Sequence, residues 1–432
     1  MKAKTSLAVV LTAIQIAGTL CLAAPARAAA TFPPSEWVIG PQRRVVFLTL
    51  DGQTSSQNLL TVLEDLSTQG ARASFFMSGS WVAHHPDKAR LIRAGNHSMG
   101  NRGWSQAKFT SLSDSELRNS ITQAQEALNA AGFYPRPFLR APKGDRDLRV
   151  LQVAGSMGYR NVRWTYHTGG GLARKVAGKV IRSTRAGSII SLDIWRKSHR
   201  KALPMIVDGL RRKGFEFRTI EKLEGAHAIR WDVTLSSGST GPEVQYLTKT
   251  LNATSYPAGG MDGNYGYSEL EAVYAFEKVH GLARDGVVTP AQMTMLALKP
   301  RPAVPKPAVG DPKNYIDVDI SRQVLFEVKK RRLVHTYPVS SGNEATYTSE
   351  GQTRQAHTPR GNFHIERKIQ GERHGSLGTL YWPNYFIGGY AIHGSDSVPT
   401  YPASHGCVRI PRYLEQTFYY ANPIGTPVFV HD

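Results

Sequence analysis

The chain has 432 residues and a formal charge of +20. That length predicts two or three domains, and the charge predicts attraction to polyanions. Past residue 28 no segment reaches the ~20 apolar residues of a membrane helix, and no recognisable nucleic-acid-binding signature is present, which turns the charge away from DNA and RNA.

Residues 1–28 read as a secretory signal peptide. Met1-Lys2-Ala3-Lys4 is a basic start, Leu7 to Ala24 is an apolar run, and Ala26-Arg27-Ala28 is an A-x-A cleavage site. Its removal takes away Lys2, Lys4 and Arg27, which lowers the charge from +20 to +17. Cys21 goes with it. The mature chain then holds one thiol, Cys407, which cannot form an internal disulfide. Export predicts a secreted, cell-wall-associated protein, with no stable membrane insertion after cleavage and with anionic wall polymers among its partners.

Residues 36–225 read as an α/β module. Val45 to Leu50 and Ala73 to Met77 are buried-strand patterns, separated by an amphipathic helix through Leu59, Leu63 and Leu66. Gly187 to Leu192 is a further strand. Leu203-Pro204 is expected to open a helix running to Lys213, and Gly214 to Ile220 is a last strand. This order resembles the polysaccharide deacetylase family, which implies a distorted (β/α) barrel. The family holds a divalent metal with one aspartate and two histidines four residues apart, and uses a second aspartate as base and a distant histidine as acid. Here Thr49-Leu50-Asp51-Gly52-Gln53 keeps one acid where the family has two. Arg102 and Gln106 stand where the ligand histidines belong, and Asp193 stands in place of the acid histidine. An arginine is always protonated and repels a metal cation. The module is therefore expected to be inactive and to hold no metal, with Arg102 and Lys143 available to an anionic group.

Residues 233–298 carry an internal echo. Asp262-Gly263 and Asp285-Gly286 are turn signals, each just ahead of a helical pattern. Leu270, Val273, Phe276 and Val279 form an apolar helix stripe between them, and Val244, Leu247 and Leu251 form an earlier one. Pro290 suits the first turn of a third helix. The small three-helix unit resembles the peptidoglycan-binding module that accompanies many wall enzymes; its usual second-helix glutamine is Glu277 here. Residues 299–311, with proline at nearly every second position from Pro300 to Pro307, predict a semi-rigid linker.

Residues 312–432 are mostly strand. Tyr315 to Ile320 and Gln323 to Val328 alternate apolar with polar, Lys329 to Arg332 makes the turn, and Leu333 to Val339 continues the sheet. Phe363 to Ile365, Tyr390 to Ile392 and Val428 to Val430 are further strands. The expected architecture is a β-sandwich with the cysteine on a loop at one edge. His393-Gly394 precedes Ser404-His405-Gly406-Cys407-Val408-Arg409. A thiol kept beside imidazoles points to reactivity, because imidazolium lowers its pKa and the thiolate is the nucleophile. The signature resembles that of the L,D-transpeptidases, cysteine enzymes that cross-link peptidoglycan.

That resemblance implies Cys407 as nucleophile, His393 as base with its tautomer held by a nearby carbonyl, and His405 in orientation or at the oxyanion site. It further implies oxyanion donors at Gly406 and Cys407, Arg409 as a clamp for a stem-peptide carboxylate, and Ser404 and Gly394 as loop and substrate contacts. No cofactor is required. The substrates are peptidoglycan stem peptides, with glycan as the wall anchor. The alternatives are an L,D-carboxypeptidase, with water as acceptor, and a non-catalytic wall-binding scaffold.

Overall fold

A computed structural model describes residues 30–52, 56–298, 301–307 and 309–432. The expected signal peptide with Cys21, Gln53 and parts of the 299–311 linker lie outside the described residues. The chain is multidomain, α/β and then β.

The first unit is a distorted (β/α) barrel. Val45–Asp51 lies at the centre of a parallel sheet, flanked by Ser74–Phe76 and Ile189–Asp193, with Ser98–Met99 and Tyr166–His167 outside them. Glu216–Arg218 pairs with the start of the central strand. A second sheet holds Phe138–Leu139, Arg160–Val162 and Ser35–Trp37, and a bridge from Asn101 to Leu139 joins the two. Leu48, Leu50, Phe75 and Ile190 fill the core beneath the helices.

Two features of this unit depart from the sequence expectation. Ile229–Arg230, past the expected end at 225, returns antiparallel to Ser35–Trp37. It is held there by buried Trp231, over whose ring Arg146 lies at 4.8 Å. The last helix starts at Lys197, not at Leu203, and runs to Arg212 with Pro204 inside it. Proline removes one helical hydrogen bond, but Ala202, Leu203, Ile206, Val207 and Leu210 are all buried on one face and keep the helix continuous.

The second unit packs helices Pro242–Ala253, Tyr267–His280 and Pro290–Leu298 around Val244, Leu247, Leu251, Val273, Phe276 and Met293. The two Asp-Gly turns have the same construction. Gly263 and Gly286 take φ +85° and +68°, and the preceding aspartates accept from Asn264 N–H and Val287 N–H at 2.8 and 2.9 Å. Left-handed φ at these positions requires glycine or its few substitutes. Glu277 is buried and accepts the Gly286 amide at 3.1 Å.

The third unit is a β-sandwich. One sheet runs Arg332–Pro338, Val324–Lys329, Tyr315–Asp319, Pro427–His431, Gly361–His364; the other runs Arg367–Lys368, Gly378–Ile387, Tyr390–Ser395, Val408–Pro411. Ile316, Val318 and Leu325 from the first meet Phe386, Ile392, Val408 and Ile410 from the second. Lys330 and Arg331, both at positive φ, turn the hairpin between Val324–Lys329 and Arg332–Pro338. A small hairpin, Thr346–Ser349 with Gln352–Gln355, stands off both sheets.

Hydrogen bonds tie the second and third units together. Lys278 Nζ donates to Val339 O at 3.0 Å, Thr336 N–H to Ser255 O at 2.7 Å, and Tyr413 O–H to Pro257 O at 2.8 Å.

Candidate active site

Tyr390–Ser395 and Val408–Pro411 pair in parallel, with Ile392 opposite Val408 and His393 opposite Arg409. Ile392, Val408 and Ile410 face the sandwich core. Strand alternation then sends His393 and Arg409 to the other face, and Cys407, two residues before Arg409, shares it. The register thus brings together three residues far apart or merely near in sequence.

The loop that carries Cys407 is held from several sides. Ser404 Oγ accepts from Gly406 N–H at 3.0 Å and donates to Cys407 O at 2.5 Å. Thr358 Oγ1 accepts from Gly342 N–H and donates to Gly406 O, both at 2.8 Å. Ser404 N–H donates to Ser341 O at 2.8 Å, and Ser340 and Arg409 exchange backbone bonds at 3.2 and 3.1 Å. Gly406 sits at φ +126°, where a Cβ would lie 2.6 Å from Tyr390 Cε1 and 2.8 Å from His357 O. Only glycine passes at that point.

His393 is 6% exposed, and its Nδ1–H donates to Gly394 O at 2.8 Å. This fixes the tautomer and leaves Nε2 with a lone pair. Burial pushes the imidazole down to about 4, with the Arg409 charge adding to the effect and the Gly394 bond opposing it. Burial likewise pushes the Cys407 thiol up, against a lowering pull from the Ala391 backbone and Arg409. The Arg409 guanidinium, half-buried and with no ion pair among the described residues, is the charge closest to this chemistry.

These facts revise three expectations. The thiol is not lowered by an imidazolium, because burial strips His393 of its charge at neutral pH. The Gly406 amide is engaged with Ser404 and is not a free oxyanion donor, whereas the Cys407 amide donates to no acceptor among the described residues. His405 is exposed, and its ring lies 4.7 Å from that of Tyr347 on the outlying hairpin, tilted by 57°, rather than joining His393. Gly394 contributes backbone alone: its carbonyl anchors His393, and a Cβ there would meet Glu415 Oε2 at 2.1 Å. Thr358 and Tyr390 are loop-holding residues that motif reading left without a role. Within Gly378–Ile387, Phe386 enters the core and Trp382 packs against Tyr419 and Tyr420.

In the first unit a cleft of about 560 Å³ opens at Asp51, lined by Arg102, Gln106, Lys143 and Asp193 among others. Arg102 Nη1 and Arg140 Nη1 each bond an Asp51 oxygen at 2.9 Å, and Ser191 Oγ donates to Asp51 at 2.5 Å. Gln106 Oε1 lies 3.4 Å from Arg102. Asp51 is thereby fully engaged and a guanidinium occupies its front. These residues do not fit the divalent metal of the deacetylase family, and among the described residues no group of three His, Cys, Asp or Glu side chains is placed to hold one.

Comparison with known proteins agrees with this architecture. The family model described as L,D-transpeptidase catalytic domain matches residues 313–430. A solved L,D-transpeptidase from Xylanimonas cellulosilytica is 40% identical; the match covers 46% of this chain and 97% of that one, at a TM-score of 0.42. Residues 313–430 belong to the L,D-transpeptidase catalytic domain family. Upstream of this L,D-transpeptidase domain, a polysaccharide deacetylase model matches residues 39–162 and a peptidoglycan binding domain model matches 240–296. The peptidoglycan-N-acetylglucosamine deacetylase PgdA of Listeria monocytogenes is 28% identical over 184 residues, 42% of this chain and 39% of that protein. A peptidoglycan-N-acetylglucosamine deacetylase of Bacillus cereus is 26% identical over 208 residues, 45% of this chain and 76% of that one. The chain therefore spans well under half the Listeria relative. Peptidoglycan is the partner these domains have in common.

Proposed function

We propose that the protein is an exported, wall-associated peptidoglycan L,D-transpeptidase that forms an acyl-enzyme on Cys407. The observation that carries this reading is the shared sheet face of Cys407, His393 and Arg409, with the His393 tautomer fixed so that Nε2 can accept a proton. An imidazole at about 4 and a thiol above its ordinary value do not exchange a proton at rest. Proton transfer to Nε2 therefore accompanies attack of Sγ on the donor carbonyl, as general-base catalysis. The Cys407 N–H stabilises the tetrahedral oxyanion. Collapse expels D-alanine, whose nitrogen takes the proton from His393, and leaves a thioester. An acceptor-stem amine then attacks the thioester, giving its proton to His393, and the released thiolate is reprotonated. Arg409 grips a stem carboxylate and biases the thiol toward thiolate.

The deacetylase-like unit takes no part in chemistry on this reading, since Arg102 stands at Asp51. Cys407→Ala abolishes cross-linking and leaves wall binding intact. The assay is mass spectrometry of digested peptidoglycan. Residual turnover above about a thousandth of wild type contradicts the assignment, and trimmed monomers without cross-linked dimers would make water the acceptor.

A further inference from the structure

The first unit also holds a second, larger hollow of about 1300 Å³, between helices Ala173–Ser183 and Lys197–Arg212, which shares no lining residue with the Asp51 cleft. Lys175, Lys179 and Arg182 are spaced i, i+4, i+7 and line it from one helix. Lys197, Arg200 and Lys201, at i, i+3, i+4, line it from the other. Among the described residues none of these six makes an ion pair with an acid. The one carboxylate lining the hollow, Asp65, is pushed up by burial and by Glu64, with no cation holding it down. Gly178 leaves the floor between the rows low, and Gly209 lets Ile181 approach so closely that a Cβ there would lie 2.4 Å from its Cδ1.

These six cations, with Arg174 a seventh on the lining, spread over at most about 10 Å of each helix, and neighbours within a row sit within a Debye length of each other. Their mutual repulsion is relieved only by several negative charges at short spacing, which a single small anion does not supply. Arg182 adds a forked donor that matches phosphate oxygens; Arg200, whose Nη1 bonds Ile194 O at 2.8 Å, adds its charge. We propose that this groove docks a linear phosphodiester polymer of the cell wall. The proposal rests on the reading of the chain as an exported wall enzyme, and places its polyanion contact on the unit that has lost its metal.

The test uses the full chain and a synthetic glycerol-phosphate decamer, with affinity measured by fluorescence anisotropy across a salt series. The decamer binds, and affinity falls with salt. The triple variant Lys175→Glu, Lys179→Glu, Lys201→Glu, all exposed positions, binds at least tenfold more weakly and with a shallower salt slope. An affinity within twofold of wild type overturns the proposal. So does tighter binding of a single-stranded oligodeoxynucleotide than of the decamer at equal ionic strength, which would make the groove a nucleic-acid surface. Turnover of soluble stem peptide, measured alongside, is unchanged in the triple variant and reports on Cys407 separately.

Discussion

Replacing Glu277 by glutamine isolates the effect of one buried carboxyl. Glu277 has no solvent exposure, accepts the Gly286 amide at 3.1 Å, and is pushed by burial from 4.5 to about 8. The unfolded chain releases this proton near 4.5 while the folded chain keeps it to about 8. Between those values the folded state binds more protons, so stability falls as pH rises. Each pH unit in that window costs at most about 1.4 kcal/mol, hence up to about 3 kcal/mol between pH 5 and pH 7. Glutamine offers the same carbonyl to Gly286 and has no proton to lose. Glu277→Gln is therefore near neutral at pH 5 and stabilising by up to about 3 kcal/mol at pH 7. Hydrogen exchange of peptides from Tyr267–His280, corrected for intrinsic rate, reads the difference. A pH-independent difference, or a glutamine variant less stable at pH 7, refutes the reasoning.

Three further outcomes follow from the site. His393→Ala slows single-turnover acylation more than His405→Ala, and the wild-type acid limb is flat from pH 7 to pH 5, because His393 loses its lone pair only as pH falls through about 4; a midpoint between 6 and 7 would transfer the base to another histidine. Gly406→Ala forces a side chain to φ +126° against Tyr390 and His357; about 1–3 kcal/mol of local strain displaces the thiol, seen as slower acylation and slower labelling by a thiol probe. The purified protein holds no stoichiometric zinc and releases no acetate from N-acetylated glycan, and chelator-sensitive acetate release is the contrary result.

What the sequence disclosed follows from how local each signal was. Cys407 and its flanks form a compact motif, and the alternation of Ile392, Val408 and Ile410 announces paired buried strands, so the sandwich and the thiol were both legible. The charge state of the site was not. It depends on the burial of His393, a tertiary fact that spacing does not encode, and it reverses the expected ion pair. The hairpin that meets His405 was missed because Gln352–Gln355 is exposed throughout and has no apolar alternation to read. Arg102 and Gln106 signalled a missing metal site only through the resemblance to the deacetylase family, and the guanidinium closing over Asp51 required the fold. Pro204 misled because proline usually marks a helix start, and here packing on both sides of it outweighed one absent hydrogen bond.

The bonds between the second and third units change what the linker means. Lys278 grips Val339, and the next residue, Ser340, exchanges backbone bonds with Arg409 beside the thiol. The three helices and the sheet that carries Cys407 are therefore joined directly, and not only through the proline segment. Lengthening the proline segment is therefore expected to leave the placement of the helices against the catalytic sheet unchanged.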